Sequence, residues 1–377
     1  MYLIVGAGIS GSVLANLIAE RLNQKVLIID RREHIAGNCF DYLNANENIT
    51  VHKYGPHIFH TNNKEVWDYL SNFTKWHYFY LKSNVMIEGN RVSLPFTLKT
   101  LRELFSFSMA ERIENKLITK YGYGVKVPIL DFQKSKDKDL NFIGKFVYEN
   151  VFKNYTIKQW GLKPEEIDAS VTARVPIYIS NDSRYFQDKY QAIPIKGYTK
   201  LIENILNHKN ITVQLNTDYK TLSQNEIKEF KAIFYTGAID EYFDYQYGEL
   251  PYRSLKFDIM TIDKEYYQKS VVTNYPNDYD FTRITEHKYF LDEKSNKTII
   301  SVEYPQAFSL GENERYYPIN NDKNDKLYNK YLRESKRLEN VYFFSRLGDY
   351  KYYNMDLAVE RVFELLKKLE NSIFTNK

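Results

Sequence analysis

The segment Gly6-Ala7-Gly8-Ile9-Ser10-Gly11 follows the apolar run Tyr2-Leu3-Ile4-Val5 without a break, and it constrains the fold more than any other part of the chain. Gly6 permits a sharp turn, Gly8 lets the backbone approach a pyrophosphate, and Gly11 lets a helix pack closely on a strand. Val13, Leu14, Leu17, Ile18 and Leu22 then recur at helical spacing, and Lys25-Val26-Leu27-Ile28-Ile29 reads as a second buried strand. Asp30 ends that strand, where a carboxylate accepts hydrogen bonds from ribose hydroxyls. The glycine pattern alone is a weak signal. With both strands, the helix and the acid in place it predicts a Rossmann-like unit, in which the helix start at Ile9 and Ser10 turns free N–H groups toward phosphates. Arg31-Arg32-Glu33-His34-Ile35-Ala36-Gly37-Asn38 follows directly. A second glycine turn at Gly37 lets the chain pass a flavin, which favours FAD over NAD. Ala36 stands where another glycine is common.

At 377 residues the chain is long enough for two or three domains with real cores. No stretch approaches the ~18 apolar residues of a membrane span. The start has no basic leader before its apolar run and reads as a strand rather than a signal peptide. One cysteine, Cys39, excludes an intrachain disulfide framework and a cysteine-built metal cluster, so a cytoplasmic location is expected. A net charge of +4, with acids and bases alternating, lacks the basic stripe of a nucleic-acid protein. The 34 tyrosines and 23 phenylalanines partly reflect the biased composition that also enriches lysine and asparagine, so most carry no message. Lysine outnumbers arginine 37 to 15 (52 basic residues less 15 arginines), so an arginine here hints at two-pronged hydrogen bonding.

Residues 64–73 look helical, with Val66, Trp67, Leu70 and Phe73 on one side. From Leu98 to about Trp160 apolar residues fall at three- and four-residue spacing, which predicts an inserted helical domain. Residues 161–182, with Pro164 and Pro176 and little periodicity, read as a long surface loop. A helix at 199–207 and strands at 211–215 and 232–236 return to the first sheet, and 252–310 alternates as an antiparallel sheet. A strand at 341–345, a loop, and a helix from Asp356 to about Leu369 close the chain.

Lys53-Tyr54-Gly55-Pro56-His57-Ile58-Phe59-His60-Thr61 packs two histidines and a Gly-Pro turn into nine residues. No acid or third histidine stands at ligand spacing, so no metal is expected. With the N-terminal glycine turn and the Asp30–Asn38 segment, this motif resembles bacterial UDP-galactopyranose mutases. Asn154-Tyr155-Thr156-Ile157-Lys158-Gln159-Trp160-Gly161 resembles that family's uridine-binding helix. Val171-Thr172-Ala173-Arg174-Val175-Pro176 resembles its mobile active-site loop, and Arg184 to Gln191 the stretch after it. Ser345-Arg346-Leu347-Gly348-Asp349-Tyr350-Lys351-Tyr352-Tyr353-Asn354-Met355-Asp356 resembles its closing flavin segment.

The resemblance implies interconversion of UDP-galactopyranose and UDP-galactofuranose, a step in polysaccharide biosynthesis with no net redox change. In the family, N5 of reduced FAD attacks the anomeric carbon and expels UDP. The covalent adduct opens, the sugar recloses through another hydroxyl, and UDP displaces the flavin. The implied fold is α/β. A discontinuous FAD-binding domain covers 1–79, 196–245 and 318–377. A helical domain covers 97–176 with its loop near 163–182, and an antiparallel sheet domain covers 80–96, 177–195 and 246–317. The implied catalytic residues are Arg174, Arg283 and His60. Tyr155, Phe152, Trp160, Tyr185, Arg253, Tyr317, Tyr352, Asn84 and Asn274 join the arginines around the substrate. Gly8, Ile9, Ser10, Gly11, Asp30, Arg31, Gly37, Asn38, His57, Arg346 and Met355 are the implied cofactor residues, and the helix start at Asp356 offers N–H groups to the flavin. A homodimer and an external electron donor such as NAD(P)H are also implied. Ala36, Ser345 and Asn354 depart from the family's glycine, glycine and aspartate. Two alternatives stay open, a flavin amine oxidase-like oxidoreductase and a mutase acting on UDP-N-acetylgalactopyranose.

Overall fold

Strand β1 (Tyr2–Val5) carries apolar side chains toward both faces, which suits only the middle of a covered sheet. The computed structural model describes residues 1–162 and 176–372. In it, β1 is the central strand of a five-stranded, all-parallel sheet in the order 211–214, 26–29, 2–5, 233–235, 341–343. Helix α1 (Ile9–Arg21), helix Gly197–Leu206 and the last helix, Met355–Ser372, join one apolar core with Ile4 and Ile28. Leu3, Ile29 and Ile233 face the other way, against Tyr219, Leu222 and Ile227.

The Phe59–Thr61 strand carries the second motif histidine into a three-stranded sheet, where His60 pairs with Gln191 of Tyr190–Pro194. The largest sheet has seven strands, in the order 317–318, 252–262, 298–307, 283–286, 272–274, 83–87, 90–94. It is antiparallel at every junction but one, because Val272–Asn274 runs parallel to Ser83–Ile87. The sheet expected to be antiparallel is therefore mixed.

Helices Leu98–Leu104, Phe107–Tyr121, Ile129–Gln133 and Lys138–Val147 bury Leu101, Ile113, Leu117, Phe132, Leu140 and Ile143 in a second core. A wider π-helical turn, Tyr148–Lys153, leads into Asn154–Trp160, which ends at Gly161 with φ +65°. The surface loop read over 161–182 is corrected at its far end. Pro176–Tyr178 pairs with Lys126–Pro128, since Ile177 and Val127 are apolar and fill the helical core. Arg174 and the rest of 163–175 lie outside the described residues.

Candidate active site

The glycine turn owes its shape to contacts no side chain would fit. A Cβ on Gly11 would stand 2.0 Å from the Gly6 carbonyl oxygen, and one on Gly6, at φ +106°, 2.0 Å from Thr236 Oγ1. Gly8 differs. Its missing side chain faces Gly37, whose own Cβ would come within 3.1 Å of the Gly8 Cα. The two glycine turns thus form opposite lips of one cavity. Ala36, the departure from the glycine pattern, sits at φ +71° and donates its N–H to Ala7 O at 2.8 Å. Ser345, the other departure, sits at φ +80°, and its hydroxyl donates to Thr236 O at 2.8 Å. Both positions need the left-handed backbone that glycine adopts without strain.

The cavity runs from Thr217, Asp218 and Tyr219 past Gly8, Ile9, Ser10 and Gly11 to His57, Arg346 and Met355. Asp30 is turned partly inward, accepting from the backbone N–H groups of Ala7 at 2.8 Å and Arg32 at 2.9 Å. Those bonds fix the carboxylate at the cavity wall. Arg31 is held by Glu241 at 3.2 Å and Glu314 at 3.1 Å, and Asn38 Oδ1 accepts from Arg32. Burial raises the Cys39 thiol to about 12, with Arg346 pulling the other way, so it is an inert wall. Asn354, Met355 and Ala358 bring the start of the last helix to the same cavity.

A second cluster adjoins the first. In the seven-stranded sheet the register sets Asn274 opposite Arg283, Arg283 opposite Glu303, and Glu303 opposite Phe257, so one row crosses four strands. Arg283 Nε donates to Glu303 Oε2 at 2.7 Å, and its Nη2 lies 2.6 Å from the same oxygen. Burial alone would lower the guanidinium's pKa, but Glu303, Tyr155 and Tyr317 outweigh it and raise it. Glu303, buried to 2%, was not singled out in the sequence. Nothing local marks it, because its partner lies twenty residues away across a strand pair. Burial holds the Tyr155 and Tyr317 phenols neutral, both within the field of Arg283. Trp160 lies 6.1 Å from Tyr317, Tyr317 lies 5.1 Å from Tyr352, and the Arg346 guanidinium sits over Tyr352 at 5.3 Å. Arg346 therefore joins the tyrosine cluster to the cavity between the glycine turns.

Helix Asn154–Trp160 is tied to the sheet rather than to its own helical neighbours alone. Lys158 Nζ donates to the carbonyls of Tyr275, Asn277 and Phe281, and Asn154 donates to Asn277. Arg253 is tied to the end of this helix. Its Nε donates to Gln159 O at 2.9 Å and its Nη2 to Lys158 O at 3.1 Å, capping the helix end beneath Gly161. Phe152 is 4% exposed and packs in the helical core 5.7 Å from Tyr148. Asn84 pairs with Thr273, one residue out of step with Asn274, so it faces away from Arg283 and donates to Val92 O. Asn274 stays beside Arg283, its amide on Asn84 O at 3.0 Å.

His57 is the histidine of the first cavity. Burial drives it down to about 4; a bond to Gly55 O opposes this, and Arg346 and Arg283 add to it. Its backbone N–H donates to His52 Nδ1, and the His52 N–H donates to His287 Nδ1. Burial takes His287 to about 3 and His52 well below its ordinary value. The unfolded chain, with histidines near ~6.5, takes up protons that the folded trio refuses. Stability is therefore whole above about pH 6.5 and is lost as pH falls toward 4, by about 1.4 kcal/mol per histidine per pH unit. Urea unfolding at pH 7 and pH 5.5 checks this; an unfolding free energy flat across that interval refutes the neutral trio.

His60 stands elsewhere, its Nδ1 2.9 Å from Asp188 Oδ2 and its ring stacked 3.7 Å from Phe186, which touches Tyr185 at 5.0 Å. Tyr185 is 43% exposed. Among the described residues no cluster of three or more histidine, cysteine or acidic side chains fits a metal ion. No described helix is long and apolar enough to cross a membrane.

Residues 150–352 match the family described as UDP-galactopyranose mutase, and residues 4–73 match an NAD(P)-binding Rossmann-like domain. The chain is 38% identical to a probable UDP-galactopyranose mutase of Klebsiella pneumoniae, covering 98% of this chain and 95% of the relative. It is 36% identical to a dTDP-fucopyranose mutase of Escherichia coli, with 96% of each covered. It is 35% identical to a UDP-galactopyranose mutase of Mycoplasma genitalium, covering 95% and 91%. In fold it is similar to a crystal structure of reduced UDP-galactopyranose mutase, with TM-score 0.71 at 15% identity over 97% of this chain and 95% of the other. A putrescine oxidase bound to putrescine shares the fold, with TM-score 0.58 at 10% identity over 98% of each chain.

Proposed function

Because the chain belongs to the UDP-galactopyranose mutase family, we propose that it interconverts UDP-galactopyranose and UDP-galactofuranose on a bound, reduced FAD. The observation that carries this reading is the joining of two sites by Arg346: a cavity between two glycine turns, and an arginine-and-tyrosine cluster beside it. A diphosphate needs guanidinium forks and neutral donors. Arg283 offers the first, with Arg174 as its counterpart, and Tyr185, Tyr317 and Tyr352 the second. Tyr155 and Trp160 supply aromatic faces for the base.

The fit to FAD rests on the protein's own shape. Gly8 and Gly37 leave a gap between the two turns, and the helix starts at Ile9 and Met355 both open on it. Asp30, Arg31, Asn38 and His57 line its length. When bound and reduced, the flavin supplies the nucleophile for the anomeric carbon. The protein's part is to hold the diphosphate as leaving group and to keep it within reach for return. An amine oxidase-like reading is disfavoured, since a cationic site repels an amine. The reading extends to a cytoplasmic homodimer with an external reductant such as NAD(P)H.

Relatives at 38% and 36% identity act, by name, on different nucleotide sugars, so the nucleotide sugar is part of the test. Dithionite-reduced protein is incubated with UDP-galactofuranose, UDP-N-acetylgalactofuranose and dTDP-fucofuranose, and the products are resolved by HPLC. Conversion of the first is expected to exceed the others. No conversion of any, or turnover only by oxidised protein with release of peroxide, overturns the proposal.

A further inference from the structure

We propose that His60 carries the proton exchanged between two sugar oxygens during ring contraction, with Asp188 as the positioning residue that fixes its tautomer; this rests on the mutase reading above. A carboxylate only accepts, so the 2.9 Å contact between His60 Nδ1 and Asp188 Oδ2 makes Nδ1 the donor, and in the neutral imidazole Nε2 is then the acceptor. Asp188 is itself held: its Oδ1 accepts from the Asn62 amide at 2.8 Å, and Asn62 Oδ1 accepts from the Lys189 N–H at 2.9 Å. Phe186, stacked 3.7 Å from the imidazole at an interplanar angle of 14°, fixes the ring plane. A base oriented by a carboxylate that is oriented in turn is the arrangement of a proton-transfer array.

Two other histidines show the contrast, although buried His52 also leaves its Nε2 without a partner among the described residues. His287 has both ring nitrogens engaged, by the His52 N–H and by Ser301 Oγ, and His34 likewise, by Ile35 O and Tyr54 Oη. His60 is 13% exposed, yet among the described residues its Nε2 has no partner. Its neighbour across Phe186 is Tyr185, whose phenol and the Arg283 guanidinium both act electrostatically on the Tyr155 phenol. His57 is a poor substitute, being buried and driven down to about 4.

The chemistry supplies a task for such a group. Going from pyranose to furanose, the bond from C1 to the C5 oxygen breaks and one from C1 to the C4 oxygen forms. The C4 hydroxyl loses its proton and the C5 oxygen gains one, with no change in electron count. The two oxygens are on adjacent carbons, so one Nε2 serves both, taking the proton from one and returning it to the other.

The experiment uses the flavin-loaded, reduced protein with Asp188→Asn and His60→Gln. The new amide keeps an oxygen for Asn62 and offers its N–H to His60 Nδ1, which moves the imidazole proton to Nε2 and removes the acceptor. Turnover of UDP-galactofuranose is expected to fall about 100-fold or more in both variants, as loss of a general acid–base does. KM, and the Kd of UDP by calorimetry, are expected to stay within about twofold, since neither change touches the diphosphate. Substrate carrying oxygen-18 in the bridge between C1 and phosphorus adds a readout that needs no hydroxyl proton: scrambling of the label reports cleavage of that bond alone. Scrambling retained with contraction lost supports the proposal. Contraction within about threefold of the unaltered protein, parallel loss of scrambling, or UDP binding weakened about tenfold overturns it. Failure of the unaltered protein to scramble or contract overturns the mutase reading and the proposal with it.

Discussion

Replacing Arg283 with methionine is expected to lower the unfolding free energy by about 3–5 kcal/mol, the cost of leaving a buried charge without its partner. The charge left behind is Glu303, 2% exposed, whose Oε2 takes both the Nε and Nη2 contacts. Turnover should fall by on the order of 10²–10³, the scale seen when one fixed donor to a developing anion is removed. The two losses have different origins, and a second change separates them. Converting Glu303 to glutamine in the Arg283→Met background removes the stranded charge. Thermal unfolding should recover most of the lost stability, while activity stays low because the fork for the diphosphate is still missing. Activity recovering with stability would mean that Arg283 is a structural partner of Glu303 and nothing more.

The second large effect distinguishes Gly11, which has no room for a Cβ, from Gly8, which has. Gly11→Ala is expected to leave little folded protein, because its Cβ would sit 2.0 Å from the Gly6 carbonyl, a backbone atom that cannot turn aside. Overpacking of this kind costs about 1–3 kcal/mol where side chains give way, and more where they cannot. Gly8→Ala is expected to fold with its melting temperature nearly unchanged, since Gly8 has φ −75° and its nearest neighbour, the Gly37 Cα, is 3.8 Å away. Its methyl would instead fill the gap between the two turns, so the purified protein should be colourless. Flavin content per chain and melting temperature check both variants together. A yellow, fully loaded Gly8→Ala protein would refute the assignment of that gap to the cofactor.

How far the chain could be read in advance followed from the range of the interactions. The N-terminal unit was legible because turn, helix and strands are neighbours in sequence, and the register of 2–5 with 26–29 bears this out. The Tyr155 helix, the returning strands at 211–214 and 233–235 and the closing helix were legible for the same reason. Glu303 and Asp188 were passed over because their value lies in partners 20 and 128 residues away. Asn84 illustrates the parity of strands: a shift of one residue puts a side chain on the opposite face, and motif resemblance does not fix register. Arg253 meets two helix carbonyls across some 94 residues, a contact that no local pattern announces. Ala36 and Ser345, read only as departures from a pattern, turn out to keep the left-handed backbone while changing the residue.

The position of β1 has a consequence for how the protein is made on the ribosome. Its two flanking strands are 26–29 and 233–235, and the cavity it feeds is walled by residues 345–358. The first forty residues emerge early but must wait, with one edge of β1 unpaired, for a strand some two hundred residues later. The wall of residues 345–358 is thus the last part of the cavity to be made, and the cavity belongs to the finished chain, not to the growing one.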